Sequence, residues 1–351
     1  MAVQISFIIP VYNGARDIGP CIRAIQKWDG KEAIEIIVVD DGSTDDTGKV
    51  CDKAAEYDSR IHVVHIENSG QGIARNQGIA KASGKYLYFV DADDRVCIKA
   101  IYKMWQKAEL LHTEVIMGGY YRVCEGKKER IHPPEEGFVK RGGKLYHALK
   151  QKSMFGYVWN KLYLKNFLQK HNLWLDDIRK INMEDYLFNI KVWSKNPVFY
   201  CVDYPVYTYI ADQVSTTRRA DSQIHKKSVA MLRILISYLE EHKDLDTNMD
   251  MVVPLIMRSF CWSMIKNVPY EGLSFDNLTK RANTFMDSKE IQRVLKKKRI
   301  YTHIQSLPSK LQCIFYSLCL FAIKHKMVGC VSMGFYIFYP IMKRYAASVL
   351  K

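Results

Sequence analysis

Short apolar runs alternate with amphipathic stretches through the first 120 residues of the chain. The apolar runs are rich in β-branched residues, which predicts strands at residues 5–10, 34–40, 61–65, 86–91 and 115–120. The stretches between them place apolar residues at helical spacing, which predicts helices at residues 15–28, 44–57, 72–82 and 99–111. Strand and helix in alternation predict an α/β fold with a Rossmann-like, mostly parallel sheet that is flanked by helices.

The rest of the chain changes character twice. Residues 121–140 are charged and loop-like, and helical and aromatic segments follow, so we predict one domain over residues 1–220. Residues 222–300 carry Met, Leu and Ile at helical spacing, which predicts a helical domain over residues 221–300. Residues 301–351 are predicted to form basic amphipathic C-terminal helices, so that the α/β domain carries a C-terminal helical extension.

The composition is typical of a folded protein with more than one domain. The chain has 351 residues, of which 48% are hydrophobic, and it contains no repeat. Its nine cysteines are scattered without zinc-ligand spacing, which favours free thiols in a reducing cytoplasm. The first apolar run stops at Pro10 and no basic segment precedes it, so it predicts a strand rather than a signal peptide.

Positive charge is concentrated near the end of the chain. The formal net charge is +15, and residues 291–351 hold eleven Lys and Arg side chains and no acid. Two apolar stretches lie there, at residues 313–323 and 327–342, and each is shorter than the roughly 20 residues that cross a bilayer. We expect peripheral attachment to an anionic membrane surface, and the alternative is packing on the chain itself or on a second subunit. No nucleic-acid-binding motif is present, so no nucleic acid is expected.

Acidic side chains follow two of the predicted strands. Asp40 and Asp41 end one strand, and Asp91, Asp93 and Asp94 follow another. Carboxylates gathered at one edge of a sheet repel one another, so a cation is expected beside them. Mg²⁺ and Mn²⁺ are bound by one or two carboxylates plus substrate phosphates, which Asp91 and Asp93 suit because alternate side chains point to one side. The alternative is that these acids cap helices and form turns.

Four motifs in this half of the chain are similar to those of a known family. PVYN (10–13), VDDGSTDDT (39–47), ENSGQGIARNQGIAKASGKY (67–86) and VDADD (90–94) resemble the inverting glycosyltransferases of family 2, which have a GT-A fold. The resemblance implies that Asp93, with Asp91, holds the metal ion. The resemblance also implies nucleotide binding by Pro10, Val11, Tyr12, Asn13, Asp40, Asp41, Gly70, Arg75, Asp91 and Ala92. For Arg75 the alternative is a salt bridge to Asp40 or Asp91.

An inverting transfer also needs a base, and the segment INMEDYLFNIKVW (181–193) supplies an acid pair at a predicted helix start. The resemblance implies that Asp185 is the base and that Glu184 contacts the acceptor or the surroundings of the base. Negative charge at a helix start is the plain alternative.

Two further segments resemble the family. In FGYVWNKLYLKNFL (155–168), Trp159 is expected to stack on a sugar or to pack in the core, and Lys161 to meet a phosphate or an acid. In YTYIADQVSTTRR (207–219), Ser215, Thr216 or Arg218 is expected to contact the diphosphate from a closing loop.

These features together predict a metal-dependent transferase that uses Mn²⁺ or Mg²⁺. Its donor is expected to be a nucleoside-diphosphate sugar, with UDP preferred by resemblance, and its acceptor a glycan or a lipid-linked hydroxyl. Bacterial capsule or other polysaccharide assembly is the expected context, and a homo-oligomer stays open. Two alternatives are a nucleotidyltransferase of similar fold, whose Gly-rich basic loop after the first strand is missing here, and a non-catalytic sugar- or membrane-binding module.

Overall fold

A computed structural model describes residues 2–152, 154–211, 220–304 and 310–349. The chain divides into two compact units. The first, here called the sheet unit, comprises Met1–Arg179 and Glu184–Ser215. The second, here called the helical unit, comprises Lys180–Met183 and Thr216–Lys351.

The sheet unit is a mixed sheet with helices around it. In chain order its elements are β1 (Ile5–Val11), α1 (Ala15–Gln26), β2 (Ile34–Asp40), α2 (Thr47–Tyr57), β3 (Ile61–His65), α3 (Gln71–Lys81), β4 (Tyr86–Phe89), β5 (Arg95–Val96), α4 (Ile98–Leu111), β6 (Val115–Cys124), β7 (Lys127–Ile131), β8 (Gly137–Phe138), α5 (Lys144–Gln151), β9 (Lys161–Leu164), α6 (Lys165–Lys170), α7 (Glu184–Ser194) and β10 (Phe199–Ile210). The alternation in the first 120 residues follows the predicted order of strands and helices.

The order of strands brings three carboxyl ends together. The sheet runs β3-β2-β1-β4-β9-β6-β10-β5, and the first four of these strands are parallel. Asp40 at the end of β2 lies opposite Val11 at the end of β1. On the other side of β1, Phe89 lies opposite Ile8, so Asp91 follows two residues later at the same edge. The acids predicted to share a site therefore flank the end of one strand.

The second half of the sheet is not parallel throughout. Strand β9 is antiparallel to both β4 and β6, whereas β10 runs parallel to β6. The prediction of a loop over residues 121–140 was wrong in part, because β6 continues to Cys124 and pairs with β7. Glu125 and Gly126 both have positive φ, at 51° and 73°, which allows a tight hairpin turn there. The charged side chains of β7 lie on the exposed side of this hairpin.

The helical unit confirms the predicted C-terminal helical extension. Its helices are α8 (Ile224–Glu241), α9 (Met249–Ile265), α10 (Val268–Glu271), α11 (Phe275–Met286), α12 (Lys289–Leu295), α13 (Lys310–Lys324) and α14 (Val328–Val349). Ser274 and Ser288 cap α11 and α12 by accepting hydrogen bonds from backbone N–H groups in the first turn. Within the described residues, no helix combines the length and the apolar character that crossing a membrane requires.

Candidate active site

The loops that follow β1 and β2 are tied together. The backbone N–H of Asn13 donates to Ser43 Oγ at 2.9 Å, and its side-chain Oδ1 accepts from the backbone N–H of Thr44 at 2.8 Å. Asn13 has a φ of 50°, which an Asn tolerates better than most residues. Beside it the ring of Tyr12 is 51% exposed. Of the predicted nucleotide-binding set, this loop carries Pro10, Val11, Tyr12 and Asn13.

Asp40 is buried and takes part in a chain of hydrogen bonds that reaches the surface. Its Oδ1 accepts from the backbone N–H of Ser43 at 3.1 Å, and its Oδ2 lies 2.9 Å from His65 Nδ1. The other ring nitrogen of His65 lies 2.9 Å from Asp52 Oδ1. Hydrogen bonds to Asp52 and then Asp40 raise the pKa of His65. Asp40 is thus fixed in place at the strand end where the nucleobase of the donor is expected to bind.

Asp41 holds the loop that precedes α3. Its two carboxylate oxygens accept from the backbone N–H groups of Ser69 and Gly70, at 2.7 Å and 2.9 Å. Gly70 has a φ of 87°, which favours glycine, and it immediately precedes α3. Asp41 is 4% exposed and positions the loop before α3, and the nucleotide contact expected of it stays a prediction.

Arg75 of α3 joins acids from two distant segments. Its side chain is 1% exposed, and Nη2 lies 2.8 Å from Asp91 Oδ1. Nη1 lies 2.6 Å from Asp185 Oδ1 and 3.4 Å from Glu184 Oε1. Gln71 adds a hydrogen bond to Asp91 Oδ1 at 3.1 Å. The predicted alternative of a salt bridge between Arg75 and Asp91 is therefore present, and the same guanidinium also holds the acid pair of α7.

Burial sets the protonation of the acid pair at the start of α7. Desolvation, and then the charge of Asp185, raise the pKa of Glu184 to about 8, while Arg75 opposes that shift. Desolvation also raises the pKa of Asp185, and Arg75 is the strongest opposing influence. A carboxyl group with a raised pKa can accept a proton near neutral pH, which is what a general base requires.

The residues predicted to bind a metal ion offer hard oxygen ligands. Asp93 is half-buried, and desolvation together with the charge of Asp91 raises its pKa. A divalent cation would remove that penalty, so the donor set fits Mg²⁺ or Mn²⁺. The part of the chain that the structure describes holds no cluster of three or more His, Cys, Asp or Glu side chains that could bind a metal ion. Ala92 lies between the two acids.

Trp159 and Lys161 lie beneath the site. Trp159 is 3% exposed and stacks on Tyr157 and Tyr207 with ring centroids 4.6 Å and 4.5 Å apart. These contacts match the alternative of core packing, and the sugar contact expected of Trp159 stays a prediction. Tyr207 in turn accepts a hydrogen bond from the backbone N–H of Asp91 at 3.0 Å. The aromatic stack thus supports the strand end that carries Asp91.

Lys161 is buried among hydrogen-bond acceptors, and the phosphate contact expected of it stays a prediction. Its Nζ donates to Asn160 Oδ1 at 2.8 Å and to the backbone carbonyls of Met154 and Tyr157. Burial lowers the pKa of Lys161 to about 7, while the nearby charge of Asp185 opposes this. Three acceptors around one nitrogen match the three donors of an ammonium group, which favours the charged form of Lys161. Meeting an acid electrostatically was the other predicted role for Lys161.

Several supporting residues carried no recognised signal in the sequence. Asn76 exchanges two hydrogen bonds with the backbone of Leu175, at 2.8 Å and 3.0 Å. A Cβ on Gly72 would lie 2.2 Å from the carbonyl oxygen of Asp176, so the backbones approach closely there. Lys191 of α7 pairs with Asp176 at 2.7 Å. These contacts fix the segment before α7 against α3. Gly72 and Asn76 lie inside the ENSGQGIARNQG motif, whereas Leu175, Asp176 and Lys191 had no recognised signal in the sequence.

Three predicted residues lie outside the described part of the chain. These are the diphosphate contacts proposed for the closing loop, namely Ser215, Thr216 and Arg218.

Comparison with known proteins gives the same family as the motifs. Residues 6–171 match the model of Glycosyl transferase family 2. A Bacillus subtilis relative named "Uncharacterized glycosyltransferase EpsJ" is 31% identical over 223 residues, covering 62% of this chain and 64% of EpsJ. Glycosyltransferase GlyG of Streptococcus pneumoniae is 39% identical over 126 residues, covering 36% of this chain and 42% of GlyG. The chain therefore spans less than two thirds of the length of these two relatives.

A solved structure of similar shape covers nearly the whole chain. S. aureus TarS 1-349 in complex with UDP-GlcNAc aligns with a TM-score of 0.70 over 93% of this chain and 90% of that one, at 18% identity. At such identity the likeness concerns the fold, and it confirms the predicted GT-A architecture with C-terminal helices.

Proposed function

Because residues 6–171 belong to glycosyltransferase family 2, we propose that the chain is an inverting glycosyltransferase that uses a nucleoside-diphosphate sugar. The observation that carries this proposal is the contact of one buried guanidinium with acids on both sides of the site. Arg75 holds Asp91 at the end of β4 and Asp185 at the start of α7. A donor-side acid and a candidate base are thereby fixed relative to each other within the sheet unit.

The donor is proposed to lie along the carboxyl ends of β1, β2 and β4. Asp40 would accept a hydrogen bond from a pyrimidine N–H, and the backbone near Val11 would line the base. Asp91 would contact the ribose. We propose a UDP-sugar and transfer of a hexosyl or N-acetylhexosaminyl group, which is supported by the complex of the similarly folded TarS with UDP-GlcNAc.

Asp91 and Asp93 are the residues that would hold Mn²⁺ or Mg²⁺. Such an ion, when bound, supplies positive charge to the diphosphate. The raised pKa of Asp93 supports this assignment. Burial and the charge of Asp91 disfavour the ionised form of Asp93, and a bound cation would stabilise that form.

Asp185 is proposed to take the acceptor proton. As the acceptor oxygen forms its bond to the anomeric carbon, the bond from that carbon to the diphosphate breaks and its electron pair leaves with the diphosphate. The hydroxyl proton passes to the Asp185 carboxylate. Glu184 stays in contact with Arg75 at 3.4 Å and would adjust the surroundings of the base. The acceptor is proposed to be a glycan or a lipid-linked hydroxyl in bacterial capsule or other polysaccharide synthesis.

Nucleotide release and thermal shift test this proposal in one set of measurements. The full chain is mixed with Mn²⁺ and, in turn, UDP-, GDP- and CMP-sugars, and release of nucleotide is followed with and without a panel of sugar acceptors. We expect one UDP-sugar to raise Tm and to release UDP. Asp93→Ala should abolish the Mn²⁺-dependent part of the rise in Tm.

Asp185→Asn separates the base from donor binding. It should keep the donor-induced rise in Tm and lose acceptor-dependent transfer by about 10²–10⁴-fold. The matched control is Asp46→Asn, since Asp46 is an exposed acid of the same unit with a side chain 72% exposed. Retained transfer in Asp185→Asn would exclude it as the base. Release of pyrophosphate from UTP and a sugar 1-phosphate, with no release of UDP from a UDP-sugar, would indicate a nucleotidyltransferase.

A further inference from the structure

The outer surface of the helical unit carries apolar stripes on two helices that pack together. On α13, Leu311, Ile314, Leu318 and Phe321 follow a spacing of i, i+3, i+7 and i+10, and their exposed fractions lie between 48% and 78%. They share one face of the helix because that spacing returns to the same side.

Helix α14 shows the same pattern. Cys330, Met333 and Ile337 are exposed at i, i+3 and i+7, and Ile337 is 58% exposed. The opposite sides of both helices are buried within the unit, by Leu320 and Ile323 on α13 and by Val331 and Phe335 on α14. Each helix is therefore apolar on two faces, and packing inside the unit uses only one of them.

Chance exposure does not account for these stripes. Single exposed apolar side chains are normal on a protein surface, whereas clustered ones mark an interaction site. In the described chain, residues 311–338 carry half of all the exposed large apolar side chains. A segment of that length would hold far fewer if such side chains were spread evenly.

A basic depression lies in the same unit. It has a volume of about 610 Å³, and its lining includes Lys289, Lys296, Lys324, His325 and Lys326, together with Arg293 and the acid Asp287. Arg293 pairs with Glu240 at 2.7 Å and Lys326 lies 3.8 Å from Asp287, so part of the charge is balanced. The lining still carries more cations than acids.

The depression and one apolar stripe are continuous along the chain. Lys324 ends α13 three residues after Phe321, and His325 and Lys326 follow it. The rings of Phe321 and His325 lie 4.4 Å apart. Cations at the border of an apolar face are the arrangement of helices that lie in a membrane interface.

We propose that this face of α13 and α14 docks on the surface of an anionic lipid bilayer, with the apolar stripes among the acyl chains and the basic depression on the lipid phosphates. Charge favours this occupant over a second copy of the chain. The lining of the basic depression has five Lys and Arg side chains and one acid, so two such faces would repel each other, whereas anionic lipids attract them. The docking is peripheral.

Vesicle co-sedimentation of the full chain tests the proposal without any sugar donor, so its outcome is independent of transferase activity. Vesicles of phosphatidylcholine alone are compared with vesicles containing phosphatidylglycerol, at low and high salt. We expect binding to the anionic vesicles that weakens with salt. Lys324→Gln with Lys326→Gln should weaken it by about fivefold for each cation removed. The matched control is Lys53→Gln with Lys103→Gln, two exposed lysines of the sheet unit.

A second pair of variants tests the apolar stripe. Leu318→Gln should lower partitioning roughly tenfold, while Leu110→Gln on the sheet unit should leave it unchanged. The two leucines are comparable, at 64% and 74% exposed, so both variants should fold, which thermal unfolding checks. Absence of binding to anionic vesicles, or equal effects of the two leucine variants, would overturn the proposal. So would a dimer in light scattering that Leu318→Gln dissociates, because the face would then join two copies of the chain.

Discussion

Replacement of Arg75 by Met should destabilise the sheet unit more than any exposed charge reversal. The guanidinium contacts Asp91, Glu184 and Asp185, and its own side chain is 1% exposed. Met has a similar length and no charge, so the substitution removes the cation with little change in volume. Three carboxyl groups would then lie together without the positive charge that they now share.

The expected loss follows from the burial of the group. Removing one partner of a buried ion pair costs about 3–5 kcal/mol, because the remaining charge stays out of water. Glu184 is 6% exposed on its side chain, whereas Asp91 and Asp185 are 20% and 23% exposed and can recover some hydration. We therefore expect a loss of about 3 kcal/mol, a large part of a typical stability of about 5–15 kcal/mol.

The loss should also depend on pH. Arg75 lowers the pKa of both Glu184 and Asp185, so its removal raises both further. When the pKa of a carboxyl group is higher in the folded state than in the unfolded state, the free energy of unfolding falls as pH rises through the two pKa values. The reason is that the unfolded chain ionises more readily than the folded one. Arg75→Met should thus be least destabilising at acidic pH, where the acids are protonated, and most destabilising above neutrality.

Urea unfolding at acidic and neutral pH measures both effects. The control is Arg60→Met, because Arg60 pairs with Asp58 at 2.7 Å but is 35% exposed and should lose no more than about 1 kcal/mol. Adding Glu184→Gln to Arg75→Met should restore part of the lost stability. Equal losses for the two arginine variants, or a loss for Arg75→Met that does not change with pH, would refute this account of the cluster.

Two further substitutions test individual features of the site. Burial raises the pKa of Glu184 to about 8, so the free energy of unfolding should fall as pH rises from about 4.5 through 8. Glu184→Gln should remove that fall in a pH series of urea unfolding, and an unchanged slope would contradict it. Gly72→Ala should lower Tm because its Cβ would lie 2.2 Å from the Asp176 carbonyl oxygen. Gly334→Ala, at a helical glycine with open space around it, should keep or raise Tm.

The sequence predicted the elements of the sheet better than their partners. Alternating apolar and amphipathic stretches located β1, β2 and β4, because these strands are buried on both faces and are seen in the sequence as continuous apolar runs. The edge strand β3 is partly exposed, and its β-branched residues located it. The hairpin of β6 and β7 was missed because its second strand, KKERI, is charged and exposed, so no apolar face marks this segment as a strand. The hairpin turn is formed by Glu125 and Gly126, and the pattern of hydrophobic residues does not reveal their positive φ.

The site residues illustrate a second limit. Motifs singled out Asp41, but its partners, the N–H groups of Ser69 and Gly70, follow from the pairing of distant loops. Trp159 was expected to contact a ligand or to pack in the core, and the sequence around it would look the same in either case. The stack with Tyr157 and Tyr207 is the observation that favours core packing.

Glu184 and Asp185 are neighbours in the chain, but their surroundings favour different protonation states. Asp185 lies closer to Arg75, at 2.6 Å against 3.4 Å for Glu184, and its side chain is more exposed, at 23% against 6%. Both differences favour ionisation of Asp185 over that of Glu184. With Glu184 protonated below about pH 8, Asp185 escapes a second negative charge beside it and stays available to accept a proton. Neutral Glu184 thus favours the ionised form of Asp185 that the proposed base role requires, whereas a permanently ionised neighbour would favour its protonated form.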